Sequence, residues 1–241
     1  MAKNTSTVEY GFLEHCLRED LNEHAQRAMA VLRPIKLTII NYPEGQSETF
    51  EVENNPNDPE AGTRPVTFSR NLYVESDDFL ETPIPKYKRL YPDGPECRLK
   101  GAYLIKCTGC VKDEQGNVVE ILATYDPDSK GGNPADGRKV KGATIHWVDA
   151  ETAVDAQVRL YDNLFADENP DGGDKDFLDC LNPGSLEVLE GCKLEASLAN
   201  AQPSDRFQFL RLGYFCADSK DSKPGALVFN RAVSLKDGFK K

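Results

Sequence analysis

Residues 107–125 read CTGCVKDEQGNVVEILATY. Two strand-like runs, 107–112 and 118–125, flank the polar pentapeptide Asp113-Glu-Gln-Gly-Asn. Gly and Asn tolerate the left-handed backbone that a tight reversal needs. The stretch therefore predicts an antiparallel hairpin. Similar short runs lie on both sides of it. Upstream, 35–40, 49–52, 66–74 and 97–111 read as strands, with Asn41-Tyr-Pro-Glu-Gly as a turn. Downstream, 143–148, 156–161, 186–189, 206–215 and 227–233 read the same way, with a polar loop at 167–175 and a short helix at 177–181. Residues 127–138 hold five glycines and prolines in a polar loop. Two β-rich units joined near 126–142, each an antiparallel barrel or sandwich, follow from this pattern.

The N-terminal segment differs. Leu13, Leu17 and Leu21 recur every four residues, with Cys16, Ala25 and Ala28 nearby. This period predicts one long amphipathic helix. Pro34 ends it, because proline cannot extend the helical hydrogen-bond ladder.

The chain has 241 residues, 39% hydrophobic and 29% charged, a globular balance. No apolar run approaches the roughly 20 residues of a membrane helix. The first residues lack the apolar core of a secretory signal. A cytoplasmic, membrane-free protein is expected. Seven cysteines at irregular spacing argue against a secreted disulfide framework. Cys107 and Cys110 form the one CxxC. They lie in a strand-like run without matching histidines, so buried thiols are expected there rather than a metal or redox site.

Net charge is −11. Segment 86–106 nevertheless carries six basic and two acidic residues, and 130–141 carries four and one. Positive charge is concentrated on an otherwise acidic body. Phosphate-binding loops, nucleophile elbows, HExxH and EF-hand patterns are missing. The acidic groups at 77–78 and 174–176 read as solvated faces. No catalytic residue, cofactor site or metal site is expected. Arg98 and Lys100, two apart on a strand, share a face beside the basic-aromatic run Lys86-Tyr-Lys-Arg. Such a face can hold phosphates and splayed bases of single-stranded RNA, or can merely solubilise the protein.

Longer strings add a resemblance. They are LEHCLREDLN (13–22), RAMAV (27–31), NPNDPE (55–60), YKRL (87–90), RLKGAY (98–103) and TYD (124–126). GRKVKGATIHWV (137–148), RLYD (159–162), FQF (207–209), GYF (213–215) and VFNR (228–231) continue the series. In this order they resemble the anticodon-binding half of the glutaminyl-tRNA synthetases, class I enzymes. That family's HIGH-like and KMSKS-like motifs do not occur here.

The resemblance implies a mainly β fold of two antiparallel β-barrels with an N-terminal helix. Residues 1–33 would be a helical linker, 34–142 the first barrel and 143–241 the second, with the last strand free to return to the first. It implies binding of the tRNA(Gln) anticodon loop, while a catalytic domain of the same parent chain attaches glutamine with ATP and Mg. The chain alone would then be inactive, a monomer, and Met1 an introduced start.

Residue by residue, Arg27 matches a contact to the second anticodon base, joined by Gln208 and Arg211. Lys88 and Arg89 match a pair at the third base, and Arg98 and Lys100 a pair at the first. Asn22 and Asn57 match asparagines at the flanking nucleotides. Lys86 stands where the family has an anticodon-touching glutamine, Lys100 where it has arginine, and Asn55 where it has histidine. Lysine lacks arginine's planar fork, so Lys86 and Lys100 offer charge without bidentate geometry. Lys139 and Lys141 suit phosphate, or a hold on the turn between barrels. From the residues alone Arg27 could instead cap the helix C-terminus, and Gln208 and Arg211 could be surface groups. Two further readings stay open. One is a related glutamyl-tRNA synthetase, whose anticodon differs at the third base. The other is a non-catalytic β-barrel protein-interaction module.

Overall fold

The computed structural model describes residues 10–167, 170, 172 and 176–236. The expectations for the first nine residues and for Asp174 fall outside these. Helix α1 (Tyr10–His24) leads into β1 (Gln26–Ala28), β2 (Ala30–Val31), β3 (Pro34–Ile39), β4 (Ser47–Glu53), β5 (Thr63–Ser69) and β6 (Asn71–Glu75). Next come β7 (Cys97–Leu99), β8 (Leu104–Lys112) and β9 (Val118–Tyr125). β10 (Thr144–Ile145), β11 (Val148–Asp149), β12 (Val154–Tyr161), β13 (Leu186–Leu194), β14 (Arg206–Phe209), β15 (Gly213–Ala217) and β16 (Leu227–Ser234) follow. No described helix is long and apolar enough to cross a membrane.

The expected mainly β architecture holds, as two barrel-like seven-stranded sheets and a β4–β5 ribbon. The first sheet runs β10-β7-β8-β9-β3-β6-β11, and the second β1-β14-β15-β16-β12-β13-β2. Pairing is mostly antiparallel, but β1–β14, β7–β10, β3–β9 and β12–β16 are parallel. The hairpin expected around 113–117 forms between β8 and β9, with Cys107 paired to Ala123 and Cys110 to Ile121.

The helix is shorter than its sequence period suggests. It stops at His24, and residues 26–31 become strands. The cause is tertiary. Ala28, Ala30 and Leu32 enter the core of the second sheet. Met29 and Val31 enter that of the first. A strand's period of two serves both cores at once, whereas a helix would point several of these side chains along one stripe. Such burial overrides a helix preference of a few tenths of a kcal/mol per residue. Pro34 opens β3, where its missing N–H costs least.

Two other sequence expectations change. The stretch 143–148 forms β10 and β11, which edge the first sheet, not the second. The last strand, β16, stays in the second sheet between β12 and β15. The second sheet thus takes both its edges, β1 and β2, from the N-terminal end of the chain, whereas the first is built from the contiguous stretch 34–149 with β10 and β11 at its edges. Edges covered this way expose no long unpaired ladder.

Gly142 sits just before β10, its N–H bonded to the Glu96 carbonyl at 3.1 Å. A Cβ there would lie 2.2 Å from that oxygen and 2.9 Å from the Cys97 sulfur. Gly142→Ala should cost about 1–3 kcal/mol through forced backbone displacement. Urea unfolding measures it, and an unchanged midpoint would show that β10 docks without this close approach.

Candidate nucleic-acid interface

The ten candidate residues fall into three hydrogen-bonded groups, around Asn22 and Arg27, around Asp78 and around Arg98, with Lys86 and Lys100 exposed beside them. At one end, Asn57 donates Nδ2 to the Asn22 carbonyl at 3.0 Å. Asn22 lies in the last turn of α1, two residues before its end at His24. Its carbonyl and side-chain oxygens accept from Arg27 Nη2 at 2.8 and 3.1 Å. Arg27 Nη1 donates to the Ala25 carbonyl at 2.8 Å. Arg27 therefore caps the helix end, as one reading of its sequence position allowed, and its guanidinium is buried. Burial pushes that guanidinium below its usual pKa.

Arg27 pairs directly with Gln208 across the parallel β1–β14 ladder. Gln208 in turn pairs with Tyr214 on β15, whose hydroxyl donates to Asn22 Oδ1 at 3.3 Å. Directly paired strand residues share a sheet face, so Arg27, Gln208 and Tyr214 form one polar row beside α1.

Three residues beyond Gln208, Arg211 occupies the reversal between β14 and β15 with φ +69°. This left-handed backbone turns its side chain toward the first sheet. There Nη1 and Nη2 grip Asp78 Oδ2 and Oδ1, each at 2.7 Å. Asp78 also holds Arg89, with Nη1 at 3.1 Å from Oδ1. The Asp78 side chain is only 1% exposed, against 30% for Arg211 and 41% for Arg89. The expectation of a solvated 77–78 pair is thus corrected for Asp78, while Asp77 is exposed. Its burial follows from the closure of segment 78–90: Leu90 N–H donates to the Asp78 carbonyl at 2.9 Å. Two arginines then meet the carboxylate, Arg89 from the loop before β7 and Arg211 from the turn between β14 and β15.

A second arm braces Arg211. Its Nη1 also lies 3.2 Å from His146 Nδ1, and His146 Nε2 lies 3.3 Å from Glu75 Oε1. Arginine can only donate, so His146 accepts at Nδ1 and keeps its proton on Nε2 for Glu75. Glu75 further accepts from the Leu32 and Arg33 amides at 2.8 and 3.0 Å. Burial alone would raise the Glu75 carboxyl, but His146 and those amides hold it below the usual range. Burial likewise opposes the charge on Arg211, yet Asp78 outweighs it and holds the pKa up.

The path continues through the first sheet. The Lys88 carbonyl accepts from Ala143 N at 2.7 Å, and the Ala143 carbonyl from Arg98 N at 3.0 Å. Arg98 Nε donates to the Gly132 carbonyl at 2.7 Å. Lys100 lies just past β7, in the turn before β8, rather than on the strand as expected. Burial still alternates, with Cys97 and Leu99 inside, Arg98 half-buried and Lys100 exposed. Lys86, with φ +66°, and Lys88 are exposed in the preceding loop. The other basic segment is largely self-neutralised. Arg138 binds Glu96, Asp126 and Asp136, and Lys130 binds Glu48.

Two family models match consecutive parts of the chain. Both describe the anti-codon binding domain of the class I tRNA synthetases (E and Q), over residues 25–126 and 144–218. The chain belongs to this anticodon-binding family. Along its whole length it is 52% identical to the glutamine–tRNA ligases of Clostridium kluyveri and Bradyrhizobium diazoefficiens, and 53% identical to that of Vibrio cholerae. It spans 43%, 42% and 43% of those ligases.

Within this anticodon-binding chain, sequence reasoning missed Asp78, His146, Glu75 and Tyr214. Asp78 read as part of a solvated acidic face, and neither His146 nor Glu75 stands in a spacing that marks a site. Their signal is long-range: Arg211 and Asp78 are 133 residues apart. Among the described residues, no group of three or more His, Cys, Asp or Glu side chains could hold a metal ion.

Proposed function

We propose that this chain reads the anticodon loop of tRNA(Gln) for a glutamine–tRNA ligase. The supporting observation is the polar path across the sheet junction, from Asn57 and Asn22 through Arg27 and Gln208 to Arg211, Asp78 and Arg89. Gln208 and Arg211 address the second base, with Arg27 adding buried charge beside them. Lys88 and Arg89 address the third base, and Arg98 and Lys100 the first. Asn22 and Asn57 serve the flanking nucleotides, and Lys86 adds a point charge. Splayed bases are read in this manner, by donors to their edges and by cations near the phosphates. In this reading the parent ligase is a cytoplasmic monomer. ATP, Mg and the chemistry belong to its catalytic part.

Arg89→Ala tests the reading. Binding to the tRNA(Gln) anticodon stem-loop should weaken by about 1–3 kcal/mol, by analogy with arginine readout of base edges. Stem-loops with a changed third base should lose little further. Fluorescence anisotropy at fixed salt measures both, since phosphate contacts make affinity salt-dependent. Equal loss for every anticodon would rule out base reading by Arg89. Tighter binding of the glutamate stem-loop by the unsubstituted chain would transfer the assignment to a glutamyl enzyme.

A further inference from the structure

We propose that Asp78 is a positioning residue that couples recognition of the second and third anticodon bases. The inference rests on the anticodon reading above and adds to it a residue that touches no base. Its ground is that one buried carboxylate holds two arginines from separate loops, Arg211 between β14 and β15 and Arg89 before β7. Asp78 takes Arg211 end-on, with both oxygens engaged at 2.7 Å. The same Oδ1 holds Arg89 at 3.1 Å. Neither guanidinium can shift without disturbing the other's anchor.

The geometry also selects which donors remain. Arg211 Nη1 spends its second N–H on His146, 3.2 Å away. Covalent geometry then leaves the side-on fork, Nε–H with the outer Nη2–H. That fork is the planar bidentate pair arginine presents to an acceptor edge. Asp78 and His146 together fix the plane of this fork, and His146 is itself fixed by Glu75 at 3.3 Å. Arg89, with one Nη at Asp78 and a 3.3 Å bond from the same atom to the Asp77 carbonyl, is turned by the same carboxylate. A base seated against one arginine loads Asp78, and the load reaches the other pocket through the Arg211 hydrogen bonds and the Arg89 ion pair.

Asp78→Asn removes the charge and one acceptor while keeping the shape. The full chain is titrated with anticodon stem-loops altered singly at the first, second or third base. Discrimination at both the second and the third base should fall about tenfold, within the range of bidentate readout. Discrimination at the first base, assigned to Arg98 and Lys100, should hold within about threefold, because those residues make no contact with Asp78. A purely structural role would weaken all anticodons alike. That outcome, or unchanged discrimination, would overturn the proposal. Should Asp78→Asn fail to fold, the cycle of Arg89→Ala, Arg211→Ala and the double variant replaces it. Effects that multiply independently would overturn the coupling, and a departure of more than about threefold would support it. If the unsubstituted chain distinguishes no anticodon at all, the anticodon reading itself fails, a result separable from loss of coupling alone.

Discussion

Glu195→Ala should lower the unfolding free energy by about 3–5 kcal/mol, the usual cost of stranding one partner of a buried ion pair. Glu195 and Arg64 have side chains 3% and 6% exposed. Arg64 stands on the β4–β5 ribbon, and Glu195 follows β13 at the start of a short 3-10 turn. One carboxylate oxygen accepts from Arg64 Nη2 at 3.0 Å and from Met29 N at 2.9 Å. The other accepts from Arg64 Nε and the Ser197 hydroxyl. Alanine would leave Arg64 Nε and Nη2 and the Met29 amide without acceptors, while Arg64 Nη1 would keep the Glu53 carbonyl. Glu195→Gln should lose less, since one oxygen can still serve Met29. Urea unfolding followed by circular dichroism gives the comparison. Equal stability of Glu195→Ala and the unsubstituted chain would mean that the pair contributes nothing to joining the sheets. Against a total stability of 5–15 kcal/mol for a typical domain, the expected loss is a large share.

Trp147→Ala is expected to cost a similar amount, about 3–5 kcal/mol, by emptying a core site. The indole is fully buried and meets Phe68 edge-on at a centroid distance of 5.3 Å. Its Nε1 donates to the Lys100 carbonyl at 3.0 Å, so the same side chain that fills the core fixes the turn after β7. Trp147→Phe should retain most of the packing and lose about 1 kcal/mol with the hydrogen bond. Trp147 is the protein's one tryptophan, so far-ultraviolet circular dichroism must follow both variants. A loss below about 1 kcal/mol for the alanine variant would show that the first core closes over the gap.

The sequence made some features legible and hid others, for identifiable reasons. The β8–β9 hairpin and β12 were readable because their signals are local: alternation, then turn residues. Segments 97–111 and 206–215 read as single strands, yet each folds back on itself. The reversals use Gly101 at φ +75° and Arg211 at φ +69°. An arginine carries no turn signal, and the alternation resumes on both sides. The helix ends earlier than its period suggests because residues 28–31 are apolar on both faces, and nothing local reveals that two cores compete for them. Of the candidate site, the cations could be seen from charge clustering and from the quoted strings. Asp78 could not, because a carboxylate's burial depends on which arginines arrive from elsewhere.

The placement of β1 and β2 in the second sheet, with β10 and β11 of the first lying beyond the loop at 131–141, has a consequence for how this protein can be taken apart. The exposed loop at 131–141 is the natural place for a protease to cut. Yet a break there would not release two modules. The N-terminal piece would carry β1 and β2, which finish the other piece's sheet, and the C-terminal piece would carry β10 and β11 in return. Each piece would hold the other's borders. A nicked molecule should remain a one-to-one complex and melt in a single transition. The loop has room for insertion only between its anchors at Gly132 and Arg138, and a cut there leaves neither half with a complete sheet.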